Sequence, residues 1–459
     1  MTGTRKSSGA GRIKLQPSRH AVAGIDVGST EHWVCGPEQD DGEREVQRFG
    51  ATTPELNRML MWLQERGVES VAMESTYVYW IPAYELLEAA GIEAVLVNAR
   101  TLKNVPGRKT DMADCQWLQL LHACGLLRGS FRPSGPLGRL RALTRERVSY
   151  VENQTRCVHH MQKALDQMNV LVHRAVTDMT GTTGMAIIRA IVAGERDPLR
   201  LAAMRDGRCG HSEEQIAQFL TGTWHEEHLF NLAMALRMYD HVSAIIVEYD
   251  TQLDVELKLL QPEERASEPC PSHPKLAKAR KLKANGELAL RETLWRATGV
   301  DLTSIDGIGP ESARTILTEI GFDIAKFPTE KHFVSWLRLC PRVAVSGGKP
   351  LKKRANGMGA SRLAAVFRSA AVAVRRSSTA LGAAYRHQAA RHSGSRAAFV
   401  IARKLATLVY RMLRFGAEYV DDGQAAYEAR HQQRRLAGLT RNAAELGLAL
   451  VPQQSMQPT

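Results

Sequence analysis

Apolar and polar residues alternate in short runs near the beginning of the chain. Residues 21–27, 32–35 and 45–49 each form such a run, and glycine or polar residues separate them, which is typical of strands. Three consecutive strands this close together favour an antiparallel meander.

Helical periodicity follows the meander. From Pro54, leucine and methionine residues share one helix face up to Gly67, which stands where a helix commonly ends. The pattern then predicts a strand at residues 68–73, a helix at 81–90, a strand at 93–97 and a helix at 111–123. The element order βββ-α-β-α-β-α predicts an α/β domain over residues 21–130, preceded by a basic tail at 1–20.

Two long amphipathic stretches come next, at residues 137–176 and 229–260. In the first, apolar residues recur mostly at three- and four-residue steps, as in a coiled coil. Shorter helices are predicted at 184–194 and 198–204. We therefore predict that residues 131–260 form a helical coiled-coil region through which copies of the chain associate.

A proline- and charge-rich stretch at residues 261–286 interrupts this pattern and predicts a linker over 261–300. A helical domain is predicted at 301–427 and a C-terminal tail at 428–459. The predicted fold class is thus α/β plus all-α. Because no run approaches the about 18 apolar residues of a membrane-spanning helix, we expect a soluble cytoplasmic protein with no membrane partner.

The charge of the chain points to nucleic acid. Lysine and arginine outnumber aspartate and glutamate by 61 to 48, and residues 331–417 hold 18 of these cations with no acidic residue. Such a stretch predicts a strong positive potential suited to phosphates, although a solvated basic face without a ligand is the alternative. The seven cysteines contain no C-x-x-C pair, which argues against a zinc finger and a disulfide framework.

Four carboxylates are candidates for a metal site. Asp26 lies in the first predicted strand, Glu74 at the end of the fourth, and Asp111 and Asp114 open the helix after the fifth. If the first and fourth strands are neighbours, their carboxylates converge near one edge, and the i, i+3 pair presents two more. Carboxylate oxygens suit Mg²⁺, and two such ions can act on a phosphodiester. Each acid also has a structural alternative. Asp26 could be a turn residue, Glu74 a surface acid, and Asp111 and Asp114 first-turn acids that the helix dipole stabilises.

The segment Ile305–Pro310 (IDGIGP) has the form of a helix-hairpin-helix turn. In that motif the amides of glycines such as Gly307 and Gly309, together with a helix N-terminus, can bind a DNA phosphate without reading bases. A plain glycine-rich turn between packed helices is the alternative.

Several stretches carry a resemblance to a known family, namely residues 24–30 (GIDVGST), 71–77 (VAMESTY), 97–117 (VNARTLKNVPGRKTDMADCQW) and 305–348. The chain resembles insertion-sequence transposases that combine an N-terminal RuvC-like DEDD domain with a C-terminal serine-bearing transposase domain, kin of the Piv-type DNA invertases. The resemblance covers roughly residues 20–415. Its most specific parts are K-T-D-M-A-D at 109–114 and WLRLCPRVAVSGG at 336–348.

The resemblance implies an RNase H-like fold for the N-terminal domain, in which Asp26, Glu74, Asp111 and Asp114 bind two Mg²⁺ ions. It also implies that Ser346 is a nucleophile that becomes covalently joined to DNA. The partners that it implies are donor and target DNA and a structured guide RNA, the bridge RNA. Dimers would assemble into tetramers in the bacterial nucleoid, with one subunit's RuvC-like domain completing another's serine site.

A serine hydroxyl is a weak nucleophile without a base or metal, and no histidine neighbours Ser346 in sequence. Cations that could neutralise charge in a phosphoryl-transfer transition state lie close by, at Arg342, Lys349, Lys352, Lys353 and Arg354. Arg362 and Arg368 follow as candidate contacts to a nucleic-acid backbone. Without the family resemblance, a serine in S-G-G is more often a turn residue.

Two other functions are compatible with these residues. The first is a purely metal-dependent nuclease or junction resolvase, in which Ser346 only lines the DNA path. The second is an architectural binder of DNA or RNA without catalysis. The sequence does not identify the bases recognised, because an RNA-guided enzyme leaves that choice to base pairing and no base-reading motif stands out.

Overall fold

The structure is a computed structural model that describes residues 17–39, 42–98, 111–133, 135–265, 268–272, 286–340, 345–346, 349–350, 361–416 and 421–451. Backbone alone is described at 111–113, 345–346 and 349–350. The chain divides into two compact units, residues 1–132 and 133–459.

The first unit is built on a five-stranded mixed sheet. Its strands are β1 (Val22–Val27), β2 (Glu31–Glu38), β3 (Arg44–Gly50), β4 (Ser70–Glu74) and β5 (Glu93–Val97). The strand order is β3-β2-β1-β4-β5, with β1, β2 and β3 antiparallel and β1, β4 and β5 parallel. The predicted meander and the predicted neighbourhood of the first and fourth strands are both confirmed.

Among the described residues of this unit, three helices cover the sheet, namely α1 (Thr53–Glu65), α2 (Trp80–Ala89) and α3 (Asp111–Ala123). On one face, Ile25 and Met73 are buried in a core with α1 and α2. On the other face, Ala72 and Val97 pack with Leu118 of α3. Gly67 has φ +64° just past α1, in the left-handed conformation that lets glycine end a helix, as predicted.

Helix α3 rests directly on the backbone of β1 at Gly24. A Cβ atom at this glycine would lie 2.4 Å from both the carbonyl oxygen of Cys115 and the amide nitrogen of Gln119. Only a residue without a side chain therefore permits this approach.

The second unit is helical. Its elements are α4 (Gly135–Gln167), α5 (Val172–Ala175), α6 (Thr182–Val192), α7 (Pro198–Ala202), α8 (Glu213–Leu220), α9 (Glu226–Leu259), α10 (Glu287–Thr298), α11 (Pro310–Ile320), α12 (Glu330–Trp336), a hairpin of β6 (Val345–Ser346) and β7 (Lys349–Pro350), α13 (Arg362–Ala373), α14 (Ala380–Arg391), α15 (Gly394–Phe415) and α16 (Gly423–Glu445).

The two long helices α4 and α9 pack against each other within the chain as an antiparallel pair. Arg147 contacts Asp250, and farther along α4 the Gln154 side chain donates to Ser243 Oγ at 2.8 Å. The predicted first helix, 137–176, is too long, because α4 ends at Gln167 and the chain turns there, with Asn169 at φ +55°. The apolar seam thus serves an intramolecular core.

The C-terminal helices of this unit surround a second core, which includes Phe333, Phe367 and Ile401. Two stretches differ from their predictions. Helix α10 lies inside the predicted linker, because Leu294 on its apolar face is buried in this core despite the charged residues before it. Helix α16 lies largely inside the predicted tail; it packs on α14, although none of its residues is buried. The described helices include none long and apolar enough to cross a membrane.

The glycine contact yields a prediction for stability. Gly24→Ala is expected to lower the free energy of unfolding by about 1–3 kcal/mol, because the new methyl group overlaps backbone atoms that cannot move independently. Calorimetry of the full-length protein measures the change. Gly207→Ala is the control, since a Cβ there meets no atom within 4 Å. Equal stability of the two variants would contradict the close packing of α3 on β1.

Candidate functional site

The parallel register of β1 and β4 brings two predicted acids side by side. The observed pairs run from Val22 with Ser70 to Ile25 with Met73, so one step further sets Asp26 beside Glu74. Because side chains alternate along a strand, these acids project from the face opposite to Ile25 and Met73, which is the face that α3 covers. Both acids are half-buried.

Three contacts fix the direction of α3 on this face. Its last turn lies near the start of the parallel strands: His122 Nε2 is 2.8 Å from Ser70 Oγ, and Gln119 Nε2 donates to the Val22 carbonyl at 3.4 Å. The Ala123 carbonyl accepts from the Ser18 amide, just before β1. The helix therefore runs antiparallel to β1, and its first turn lies toward the strand ends that carry Asp26 and Glu74.

The electrostatics of Cys115 agree with this direction. Burial raises the pKa of the Cys115 thiol to about 12, and the nearby Cys35 and Asp26 add to the shift. Asp26 therefore interacts with the first turns of α3, the part of the helix that holds Asp111 and Asp114. The Asp114 side chain is half-buried, whereas that of Asp111 lies outside the described residues.

The donor set can be tested against a divalent metal ion. Four carboxylates are hard oxygen ligands of the kind that Mg²⁺ takes, and the backbone directs them to one edge of the sheet. Among the side chains that the structure describes, which exclude Asp111, no three His, Cys, Asp or Glu residues are close enough together to hold a metal ion. The residues fit the ion in the chemistry of their oxygen donors, and the described side chains would have to close around it.

The predicted nucleophile lies on a short antiparallel hairpin. Ser346 in β6 pairs with Lys349 in β7, and Val345 pairs with Pro350. The side chains of Ser346 and Lys349 are outside the described residues, as are Arg342, Lys352, Lys353 and Arg354 altogether.

The chain enters and leaves this serine segment, residues 338–360, at one place. Ser361 Oγ donates to the Leu337 carbonyl at 3.3 Å, so the two ends of the segment are adjacent. The same hydroxyl caps α13 by accepting from the Ala364 amide. Ser361 therefore has a structural role at the base of the serine segment.

The two cations predicted in α13 have different environments. Arg362, in its first turn, has its Nε 3.8 Å from Glu319 Oε1 of α11. Arg368 is partly exposed in the same helix. Arg362 therefore forms an ion pair with Glu319, an acid that lies outside the acid-free stretch at residues 331–417.

The two hairpin glycines also differ. Gly307 has φ +88°, and a Cβ there would lie 2.6 Å from the Ala370 carbonyl oxygen of α13. Gly309 precedes α11, is exposed, and would place a Cβ more than 4 Å from any other atom. Gly307 thus serves the packing of α13, and the open position is Gly309.

Sequence reasoning missed an ionic cluster around Glu319, whose carboxylate accepts from Arg141 Nε at 2.8 Å and from Arg145 Nε at 2.7 Å. Burial works to raise the pKa of Glu319, but the Arg145 hydrogen bond and the charges of Arg141 and Arg145 hold it below its ordinary value. The arginines share a face of α4, as i and i+4 residues do. No sequence signal identifies Glu319 as their partner.

The glycine geometry yields a second prediction. Gly307→Ala is expected to destabilise the protein by about 1–3 kcal/mol through overlap with α13, with about 1–2 kcal/mol more from the left-handed backbone. Gly309→Ala should cost less than about 1 kcal/mol, because only a helix-capping preference changes. Denaturant unfolding of both variants measures the difference. A destabilised Gly309→Ala with an unaffected Gly307→Ala would contradict this assignment.

Two protein-family models match separate parts of the chain, and each part contains one set of candidate residues. Residues 23–170, which contain the four acids, match a model of IS110 DEDD type described as a transposase. Residues 299–386, which contain Ser346, match the model described as the transposase IS116/IS110/IS902 family. A search of curated proteins found no match. The presence of both IS110-family transposase domains in one chain supports an insertion-sequence transposase that acts on DNA.

Proposed function

We propose that this transposase cuts and exchanges DNA strands through a covalent serine–DNA intermediate and that it requires divalent metal ions. The observation that carries the proposal is the β1–β4 register combined with the direction of α3, which directs Asp26, Glu74 and the first turn of α3 to one sheet edge. This edge lies within the part of the chain that matches the DEDD transposase model.

The N-terminal unit would be a metal-dependent module with an RNase H-like fold. Its strand order, with an antiparallel meander joined to parallel strands, supports this assignment. Asp26, Glu74, Asp111 and Asp114 would hold two Mg²⁺ ions. When bound, such ions stabilise the attacking and leaving oxygens of a phosphodiester. The sheet would position two of the four ligands, and the contact of α3 with Gly24 would position the helix that carries the other two.

The serine would carry out the transfer step. Ser346 Oγ attacks the phosphorus of a DNA phosphodiester and gives up its proton, a phosphoserine bond forms, and the strand leaves with a free hydroxyl. A hydroxyl of another strand then attacks the same phosphorus, which restores the serine and joins the new strand. Each step exchanges one phosphoester for another, so no nucleotide cofactor is needed.

The chain supplies cations for this step. Gly347 and Gly348 follow the serine, and Arg342, Lys349, Lys352, Lys353 and Arg354 lie within the same acid-free stretch. Guanidinium and ammonium groups near the reacting phosphate would stabilise its developing charge. Gly309 and Arg368 are further candidates for contacts with the DNA backbone.

We also propose that a structured bridge RNA selects the donor and target DNA. Base pairing would then supply the sequence specificity, and the protein would bind phosphates and helix shape. Dimers that assemble into tetramers would bring together the metal-binding module of one subunit and the serine of another. The acid-free basic stretch at 331–417 is the feature that supports a nucleic-acid partner of this kind.

A third prediction tests the carboxylates. Asp26→Asn and Asp114→Asn are each expected to reduce strand exchange at least about 100-fold, because metal-assisted charge stabilisation contributes several kcal/mol. Recombination between two labelled DNAs with guide RNA and Mg²⁺ measures the rate. Glu88→Gln, which changes an exposed acid on α2, should retain activity. Full activity in Asp26→Asn would rule out the proposed metal site.

A fourth prediction tests the serine. Wild-type protein incubated with labelled DNA and guide RNA is expected to form an adduct that survives denaturation, and Ser346→Ala should form none. Ser335→Ala is the matched control, because Ser335 is an exposed serine on α12 of the same domain. Strand exchange by the wild type without an adduct, or an adduct in Ser346→Ala, would contradict the serine mechanism. The first of these outcomes would favour a metal-dependent nuclease.

A further inference from the structure

Two ionic clusters contact helix α11, and they differ in charge balance. In the first, Asp250 of α9 accepts from Arg147 of α4 at 2.5 Å and from Arg314 of α11 at 2.8 Å. Glu311 contacts both arginines, at 3.2 and 2.5 Å. Two guanidinium groups thus meet two carboxylates. The arginine side chains are only 12% and 3% exposed, whereas those of Asp250 and Glu311 are 39% and 43% exposed, so this cluster is a neutral, partly buried tie between three helices.

The second cluster, which we call the Glu319 cluster, has one carboxylate for three guanidinium groups. Glu319 is contacted by Arg141 at 2.8 Å, by Arg145 at 2.7 Å and by Arg362 at 3.8 Å. Arg145 and Arg362 thus share a single carboxylate, which balances at most one of their two positive charges. In the ion pairs between described residues, Glu319 is the partner of both Arg145 and Arg362.

The excess charge is accessible. The side chains of Arg145 and Arg362 are 42% and 46% exposed, whereas that of Glu319 is 6% exposed. Arg145 directs Nε and Nη2 toward Glu319, and Arg362 directs Nε, so other N–H groups of both guanidiniums remain for an outside acceptor. The buried carboxylate holds two solvent-facing guanidiniums without neutralising them.

The Glu319 cluster lies at the base of the serine segment. Arg362 directly follows Ser361, whose hydroxyl donates to the Leu337 carbonyl where the segment begins. The serine segment therefore leaves and re-enters the helical domain beside Arg362. A DNA strand bound along the serine segment would meet Arg362 where the segment rejoins the helical domain.

We propose that Arg145 and Arg362, held by Glu319, each bind a backbone phosphate of the DNA strand beside the serine segment. This inference rests on the proposed function, because it assigns the cluster to DNA. A planar guanidinium matches phosphate oxygens in a two-point contact, and pairing with one buried acid reduces the side-chain entropy lost on binding. The neutral Asp250 cluster has no such role.

The experiment measures binding of the full-length protein to labelled duplex DNA across a range of salt concentrations. Arg145→Gln and Arg362→Gln should each reduce the slope of log affinity against log salt by about 0.9, the value for one lost phosphate contact. In the double variant this slope should be smaller than that of the wild type by about 1.8. Arg145→Lys, which keeps the charge, should retain the wild-type slope.

Arg147→Gln is the matched control, because it removes an arginine of the same helix from the neutral cluster. It is expected to lower the melting temperature and to leave the slope unchanged. Unchanged slopes in Arg145→Gln and Arg362→Gln, or an equal change in Arg147→Gln, would overturn the proposal. Should Arg145→Gln fail to fold, Arg362→Gln still decides, since Arg362 is itself exposed at the start of α13.

A parallel titration with structured RNA separates the two nucleic acids. A slope reduction confined to RNA would overturn the assignment to DNA. The outcome is also independent of the serine chemistry, since binding requires no strand exchange. Unchanged slopes beside a normal Ser346 adduct would reject only the phosphate site, whereas reduced slopes without any adduct would reject only the serine mechanism.

Discussion

Contact between helix α3 and the bare backbone of Gly24 determines the geometry of the N-terminal unit. A helix can lie this close to a strand only where no side chain separates them, and the hydrogen bond of Gln119 to Val22 then fixes its direction. Reversal of that direction would carry Asp111 and Asp114 to the far end of the sheet from Asp26. The candidate metal site therefore depends on a glycine that ligates nothing.

Local patterns were sufficient to predict most of the N-terminal unit. Period-two runs and turn glycines such as Gly67 identified the elements, and the acids followed from the expectation that β1 and β4 are neighbours. The distances between the carboxylate groups were not predictable, because side-chain positions depend on packing. In the second unit, charged residues concealed the apolar face of α10, and the 174-residue separation between Arg145 and Glu319 left no local signal of their contact.

Charge counting alone overstates the nucleic-acid surface of the second unit. The acid-free stretch suggests that every cation there faces solvent, yet Arg386 donates to the carbonyls of Arg375 and Ser377 and so fixes the backbone between two helices. Arg411 pairs with Glu330, which lies just outside the stretch. The cations that remain for phosphates are those whose partner leaves charge in excess, and Arg362 is the clearest of them.

The two proposed catalytic chemistries make opposite electrostatic demands. Carboxylates that bind Mg²⁺ must not be neutralised by arginine, and arginines that bind phosphate must not be neutralised by carboxylates. The chain meets both demands by separating them: the four acids belong to one compact unit, and the stretch around Ser346 contains no acid. Glu319, one of the acids that contact this stretch, is buried and outnumbered, so it orients cations without cancelling the local positive charge.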